Sequence, residues 1–200
     1  MTTPVAPLAR ERIDDAAGVL ARAFQPDAGM AFIFEESRRL ECCVGFCGVL
    51  VRAVVDAGVA VSTPGLESVG LLIPPSGLGS AVADAGMGAF MATLRPDEVE
   101  RFNRLVGTLG AEHDKIMTGL HWQLAFIGTE PAAQGQGFGV AVVDEVVARA
   151  EADGVPAFLD TLEPRNAAFY GRHGFTTVSE FEVPGSDVHG WAMRHEPSVA

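Results

Sequence analysis

Lysine occurs once in this 200-residue chain, at Lys115, tyrosine once, at Tyr170, and cysteine three times. Fourteen basic side chains face 26 acidic ones, a formal net charge of −12, so no broad cationic surface is available to a nucleic-acid backbone. No nucleic-acid partner is expected. The same field repels any polyanionic ligand at long range, and such a ligand would need a local device stronger than the global charge. The cysteines, Cys42, Cys43 and Cys47, are an odd cluster on one apolar stretch, which is not a disulfide framework. Cys43 and Cys47 have helical spacing suited to a metal or a redox couple, yet no second Cys/His cluster lies nearby to complete four ligands. Buried thiols in a reducing compartment are expected, with no metal site. Long apolar runs are also missing. The most apolar window, residues 42–51, is well short of the ~20 residues that cross a bilayer, and the N-terminus has no apolar stretch before Arg10, Glu11 and Arg12. A cytoplasmic protein with no membrane partner is expected.

What the chain does have is 48% hydrophobic content with 20% charged residues, the balance of a globular domain. Ile13, Ala17, Leu20, Ala21 and Phe24 recur at helical spacing behind Asp14 and Asp15, and Pro26 follows where the pattern stops. A second helix is read from Glu36 to a closing Gly58. Two short strands, 59–61 and 68–73, flank the turn signal Thr63-Pro64-Gly65 and read as a hairpin. Residues 77–119 read as a helical insertion, with Pro96 at the first turn of its main helix. A strand follows from Leu120 to Thr129, then a glycine-rich turn, a helix on which Val143, Val146, Val147 and Ala150 share a face, and a strand from Ala157 to Thr161. A short helix opened by Pro164 and two strands, 175–183 and 188–195, complete the chain. No repeat or linker divides it. One mixed α/β domain spanning 1–200 is expected, with a mixed central sheet flanked by helices.

The turn Gln134-Gly135-Gln136-Gly137-Phe138-Gly139 joins a strand to an amphipathic helix whose first amide N–H groups have no intrahelical partners. Three glycines let the backbone approach a bulky group, so the turn is a candidate phosphate cradle; an ordinary strand-to-helix turn is the plainer alternative. Glycines at i, i+2 and i+4 do not give the dinucleotide fingerprint, and no Lys-Ser or Lys-Thr follows to make a P-loop. The turn has no basic side chain. An anion there would rest on backbone N–H groups and a helix dipole worth up to ~2 kcal/mol when partly buried.

From His121 through Arg194 the sequence resembles the acetyl-CoA-binding half of the GNAT superfamily of N-acetyltransferases. The matching pieces run in the family's order: Ile127 to Pro131, the Gln134–Gly139 turn, Val155 to Thr161, Pro164-Arg165-Asn166, Phe169-Tyr170, Gly174-Phe175 and Trp191 to Met193. The resemblance implies a single-domain GNAT-like fold. Residues 1–119 would be the less matched, acceptor-side half, and 120–196 the cofactor half. It implies acetyl-CoA as co-substrate, the turn residues Gln134 to Gly139 and Asn166 as its contacts, and Tyr170 as general acid. It also implies that the backbone at Phe126 and Ile127 pairs with the pantetheine arm, although the Phe126 side chain reads more simply as core.

Acyl transfer from a thioester to an amine needs an unprotonated nucleophile, donors for the oxyanion and a proton for the departing thiolate. Tyr170, a phenol with an ordinary pKa near ~10 at i+4 from Asn166, suits the last role. For a base, Asp160 at the end of its strand and His121 or Glu130 near the preceding one are candidates. Each also has a structural reading: a helix cap, a satisfied strand histidine, a solvated loop charge. Glu35 and Glu36 behind Phe32 and Phe34 suit a cationic amine or, more cheaply, a helix start. Arg165 and Arg172 flank Tyr170 and suit cofactor phosphates or simple exposure. The excess of acid makes a cationic, small-molecule amine acceptor the expected second substrate, for a chain acting as a monomer or homodimer. A non-catalytic acyl-CoA-binding module and an enzyme acetylating protein or peptide amines are the alternatives.

Overall fold

The computed structural model describes residues 3–198. Seven strands form one sheet in the order β1-β2-β3-β4-β5-β7-β6, comprising β1 (Ala6–Pro7), β2 (Val59–Ser62), β3 (Ser68–Ile73), β4 (Trp122–Thr129), β5 (Ala157–Thr161), β6 (Thr176–Glu182) and β7 (His189–His195). Every neighbouring pair is antiparallel except β4 and β5. Among the described residues eight α-helices accompany it: α1 (Ile13–Phe24), α2 (Ala28–Ile33), α3 (Glu36–Ala57), α4 (Ala81–Asp84), α5 (Met87–Met91), α6 (Pro96–Ile116), α7 (Phe138–Asp153) and α8 (Pro164–Gly171).

The expected elements are present, and the additions have local causes. Between α1 and the long helix, the six residues of α2 form because the Asp27 carboxylate caps them, its Oδ1 accepting from Gly29 N at 2.8 Å and Met30 N at 3.3 Å. The long helix read from Glu36 to Gly58 is therefore the third. The insertion resolves into α4, α5 and α6. At the start of α6, Glu98 reaches back to Arg95 N at 2.8 Å while its Oε2 also meets Arg38 Nη1 at 2.7 Å, so a glutamate on a polar helix is fully buried.

Period-two alternation divides each central strand between two cores. Val69, Leu71 and the ring of Phe126 face α1, α3 and the aromatic residues Phe46, Phe90 and Phe102, whereas Leu72, Leu124 and Leu159 face Val142, Val143, Val146 and Tyr170 from α7 and α8. Buried leucines of this kind contribute about 1.5–3 kcal/mol each. α1 lies against β4 at Gly128, where a methyl group would stand 2.9 Å from both Leu20 Cδ2 and Ala23 Cβ. Cys42, Cys43 and Cys47 are all buried on α3, and burial pushes each thiol above its ordinary pKa.

The feature that positions a site is a fault in the sheet. Leu71 stands opposite Phe126 but Leu72 opposite Leu124, so Ala125 is an extra residue on β4. Such a bulge bends its strand and tightens its twist. β4 and β5 pair only at Trp122 with Ala157 and Gln123 with Phe158, then part. From Leu124 onward the edge of β4 that would meet β5 is left to something else.

Candidate active site

The strands part into a cleft of about 530 Å³ walled by the end of α1, the glycine turn and α8. On one side lies the turn. Gly135 and Gly137 hold φ of 76° and 88°, conformations that side chains rarely adopt, and a Cβ built on either would meet nothing within 4 Å. The open space above the turn faces the start of α7, for which Gly137 is the N-cap without any side-chain capping bond. The N–H groups of residues 135–139 have no acceptor among the described residues, the arrangement a pyrophosphate fits. Gln134 and Gln136 brace the loop instead of reaching outward: their Nε2 atoms donate to Thr129 O at 3.3 Å and Ala132 O at 3.2 Å. Gln134, Gly135, Gly137, Phe138 and Gly139 line the cleft, and Gln136 does not.

On the opposite side stands α8, which places Asn166 and Tyr170 one turn apart on the cleft wall. The Tyr170 side chain is buried against Phe169 and Phe175. Burial, together with the charges of Asp160 and Asp27, raises its pKa above that of an ordinary phenol, so the hydroxyl keeps its proton throughout the working pH range. Ile127 lines the cleft; the Phe126 ring turns away into the core, 4.9 Å from Phe24 and 5.8 Å from Phe46.

Sequence reasoning missed Asp27. It lines the cleft at the end of α1, where burial raises its carboxyl to about 6 against two lowering hydrogen bonds, with Glu163 raising it and Arg165 lowering it further. Its Oδ1 is occupied as a helix cap, and its Oδ2 has no hydrogen-bond partner among the described residues. Glu163, also a cleft residue, accepts from Ala28 N at 3.3 Å and so ties α8 to the same segment. The available signal was an aspartate just before six helix-forming residues, a cap pattern hidden by the preceding proline.

The candidate bases read from the sequence stand elsewhere. Asp160 is not a cleft-lining residue, nor does it cap α8, whose N-cap is Glu163. Burial raises its carboxyl to about 6, and His113 lowers it. His121 precedes β4 outside the cleft, its Nδ1 2.7 Å from Gly119 O and its Nε2 2.9 Å from His113 Nε2. Glu130 is engaged by Arg22, with contacts of 2.8, 2.9 and 3.1 Å between guanidinium and carboxylate. Glu35 is ion-paired with Arg95 at 2.6 Å. Arg165 and Arg172 do line the cleft. Among the described residues no group of three or more His, Cys, Asp or Glu side chains is arranged to hold a metal ion, and no helix is long and apolar enough to cross a membrane.

Residues 80–175 match the acetyltransferase (GNAT) family. The shape agrees along the whole chain: a Corynebacterium glutamicum structure described as histone acetyltransferase HPA2 and related acetyltransferase superposes with a TM-score of 0.68 at 20% identity, covering 100% of this chain and 99% of that one. This is the GNAT fold. Other solved N-acetyltransferases share the fold at lower identity. The Drosophila melanogaster polyamine N-acetyltransferase gives a TM-score of 0.65 at 11% identity over 96% of this chain and 98% of its own. Arylalkylamine N-acetyltransferase 2 of Aedes aegypti gives 0.62 at 9% over 97% and 98%. In this chain the unpaired end of β4, the amide-rich turn and the buried tyrosine occur together at one cleft.

Proposed function

We propose that this chain is an acetyl-CoA-dependent N-acetyltransferase that acetylates a primary amine of a small, cationic molecule by direct attack. The observation that carries the reading is the cleft beside the unpaired end of β4, which sets an amide-rich turn on one side and a protonated tyrosine with a partly free carboxylate, Asp27, on the other. A nucleotide thioester fits this space: its pyrophosphate on the N–H groups of residues 135–139, its extended arm along the unpaired edge of β4. The bound donor supplies an activated acyl carbon. The chain's residues manage the protons.

The amine arrives as an ammonium drawn by Asp27 and Glu163, beside the apolar surface of Phe24 and Pro26. Asp27, ionised above about pH 6, accepts one proton through Oδ2. The neutral nitrogen then forms the C–N bond at the acyl carbon as the C–S bond breaks. Tyr170 gives its proton to the departing sulfur and recovers one from the nitrogen, so the products are an amide, a thiol and one proton released to solvent. Asp160 acts through its charge, keeping the tyrosine protonated until sulfur develops charge. On this reading His121 and Glu130 are structural.

The small-molecule preference is supported by amines named for similar folds, among them polyamines and arylalkylamines. The motif series from His121 to Arg194 also resembles puromycin N-acetyltransferase. That resemblance lies in the donor half and does not extend to the acceptor half, so we assign no puromycin specificity. The test is binding first: acetyl-CoA should raise the thermal midpoint of the wild type and leave Gly137→Glu unmoved, since the new carboxylate would occupy the phosphate position. An equal rise in both removes the turn from the site.

A further inference from the structure

The loop that carries the amide turn is a thin wall. None of residues 129–140 is buried, and Ala133 lines both the cleft in front and a second hollow of about 410 Å³ behind, which lies between this loop, α1 and the β2–β3 hairpin. Packing therefore does little to fix the turn. Among the described residues, the hydrogen bonds of residues 130–137 stay within the segment or run to the adjoining ends of β4 and α7, with one exception, Glu130. Its N–H donates to Glu67 O at 2.8 Å in the hairpin turn. Its carboxylate accepts from Arg22 on α1 in a two-pronged contact, Nε at 2.9 Å and Nη2 at 2.8 Å.

The helix on the other end of this contact is a firm strut. Leu20 and Ala23 close over Gly128 of β4, so the Arg22 side chain leaves α1 from a backbone already fixed to the sheet. Arg22 and Glu130 both line the hollow behind the turn, and neither lines the cleft. They therefore act on the turn from its back. The two side chains are 47% and 30% exposed, and a pair of that kind adds little to the stability of the whole fold. What it adds is local order, at the one segment that has no packing of its own.

We propose that Arg22 and Glu130 are positioning residues for the donor, a clamp between α1 and the turn that holds the N–H groups of residues 135–139 ready for a pyrophosphate. This rests on the acetyltransferase reading and deepens its donor side. Without the clamp the donor itself must order the turn, so donor binding weakens while the chemical step at saturation does not change.

The experiment combines CoA titrations read by thermal shift, acetyl-CoA kinetics with spermidine and tryptamine as acceptor amines, and urea unfolding. The proteins are the wild type, Glu130→Gln, Arg22→Glu, the exchanged pair Arg22→Glu with Glu130→Arg, and the control Asp56→Asn. The control breaks the exposed Arg10–Asp56 pair and removes the same charge from α3, outside both hollows. Glu130→Gln should raise the half-saturating CoA concentration and the KM for acetyl-CoA about fivefold, with kcat held within about twofold and the urea midpoint close to that of the wild type. Arg22→Glu, which sets two carboxylates together, should weaken the donor at least as much. The exchanged pair should return both values to within about twofold of the wild type, and Asp56→Asn should match the wild type throughout. A wild-type half-saturating concentration in Glu130→Gln, or an exchanged pair no better than Arg22→Glu alone, overturns the assignment. A fall in kcat with KM unchanged also overturns it and returns Glu130 to the chemistry as a base. If the wild type binds CoA but acetylates neither amine, the loss falls on the acetyltransferase reading, and the titrations still decide the clamp; a wild type that binds no CoA removes both.

Discussion

Replacing Asp27 with asparagine separates two demands that the fold places on one side chain. The amide keeps an oxygen to accept from Gly29 and Met30, so the α2 cap survives, and only the charge is lost. Holding this carboxyl at about 6 in place of its ordinary 3.8 corresponds to about 3 kcal/mol. The sign follows from linkage. Because the folded-state value is raised, the folded chain binds more protons than the unfolded one between pH 3.8 and about 6. Wild-type stability therefore falls as pH climbs through that window and stays lower above it. Asparagine removes the penalty. Asp27→Asn should be more stable than the wild type by up to about 3 kcal/mol at pH 8, and by about half of that at pH 5. For a chain of this length each kcal/mol moves the thermal midpoint by about 2–4 °C. The stabilised variant should be a poor catalyst, with kcat/KM down about 10² to 10⁴-fold and without the acid limb that the wild type shows below about pH 6. Urea titrations at the two pH values and a pH–rate profile read both effects. A variant that is no more stable at pH 8, or one that keeps wild-type kcat/KM, would refute the reasoning.

Three further outcomes follow from the packing and the cleft. Tyr170→Phe removes one hydroxyl and keeps the ring packed against Phe169 and Phe175, so donor binding should persist while kcat falls at least about tenfold; full activity would remove the acid role. Gly128→Val drives a branched side chain into Leu20 and Ala23 on α1 and should cost about 1–3 kcal/mol in urea denaturation. The three thiols, buried and raised, should resist a disulfide-exchange reagent in the native state and react together only on unfolding.

Much of the architecture is legible because it is written in local chemistry. α1 ends where Pro26 follows its apolar face, Gly58 closes α3, and the hairpin turn at Thr63-Pro64-Gly65 separates two apolar runs. The glycine turn is equally plain, since positive φ at Gly135 and Gly137 is a demand that few residues meet. Tyr170 and Asn166 share a face by helical spacing alone. What escaped was set by tertiary neighbours. Asp27 looks like a loop residue until α2 forms around its carboxylate. Glu98 looks like surface until Arg38 and the Arg95 amide enclose it. Nothing near Glu130 in sequence announces that Arg22, on α1, occupies it, and nothing near His121 announces His113 at the end of α6. The bulge at Ala125 is likewise a property of pairing with β3: the alternating pattern of β4 runs on through it, and beyond it β4 has no pairing with β5.

The central claim is that this cleft transfers an acetyl group and does more than hold a thioester. The most direct measurement is the release of free CoA thiol from acetyl-CoA with a panel of aminonucleosides, polyamines, arylalkylamines and amino acids, alongside mass detection of the acetylated amine. The account predicts amine-dependent thiol release matched one to one by acetylated product, abolished in Gly137→Glu and strongly slowed in Asp27→Asn. A thermal shift with acetyl-CoA but no amine-dependent thiol release from small amines or basic peptides would contradict it and leave a non-catalytic acyl-CoA-binding module in its place.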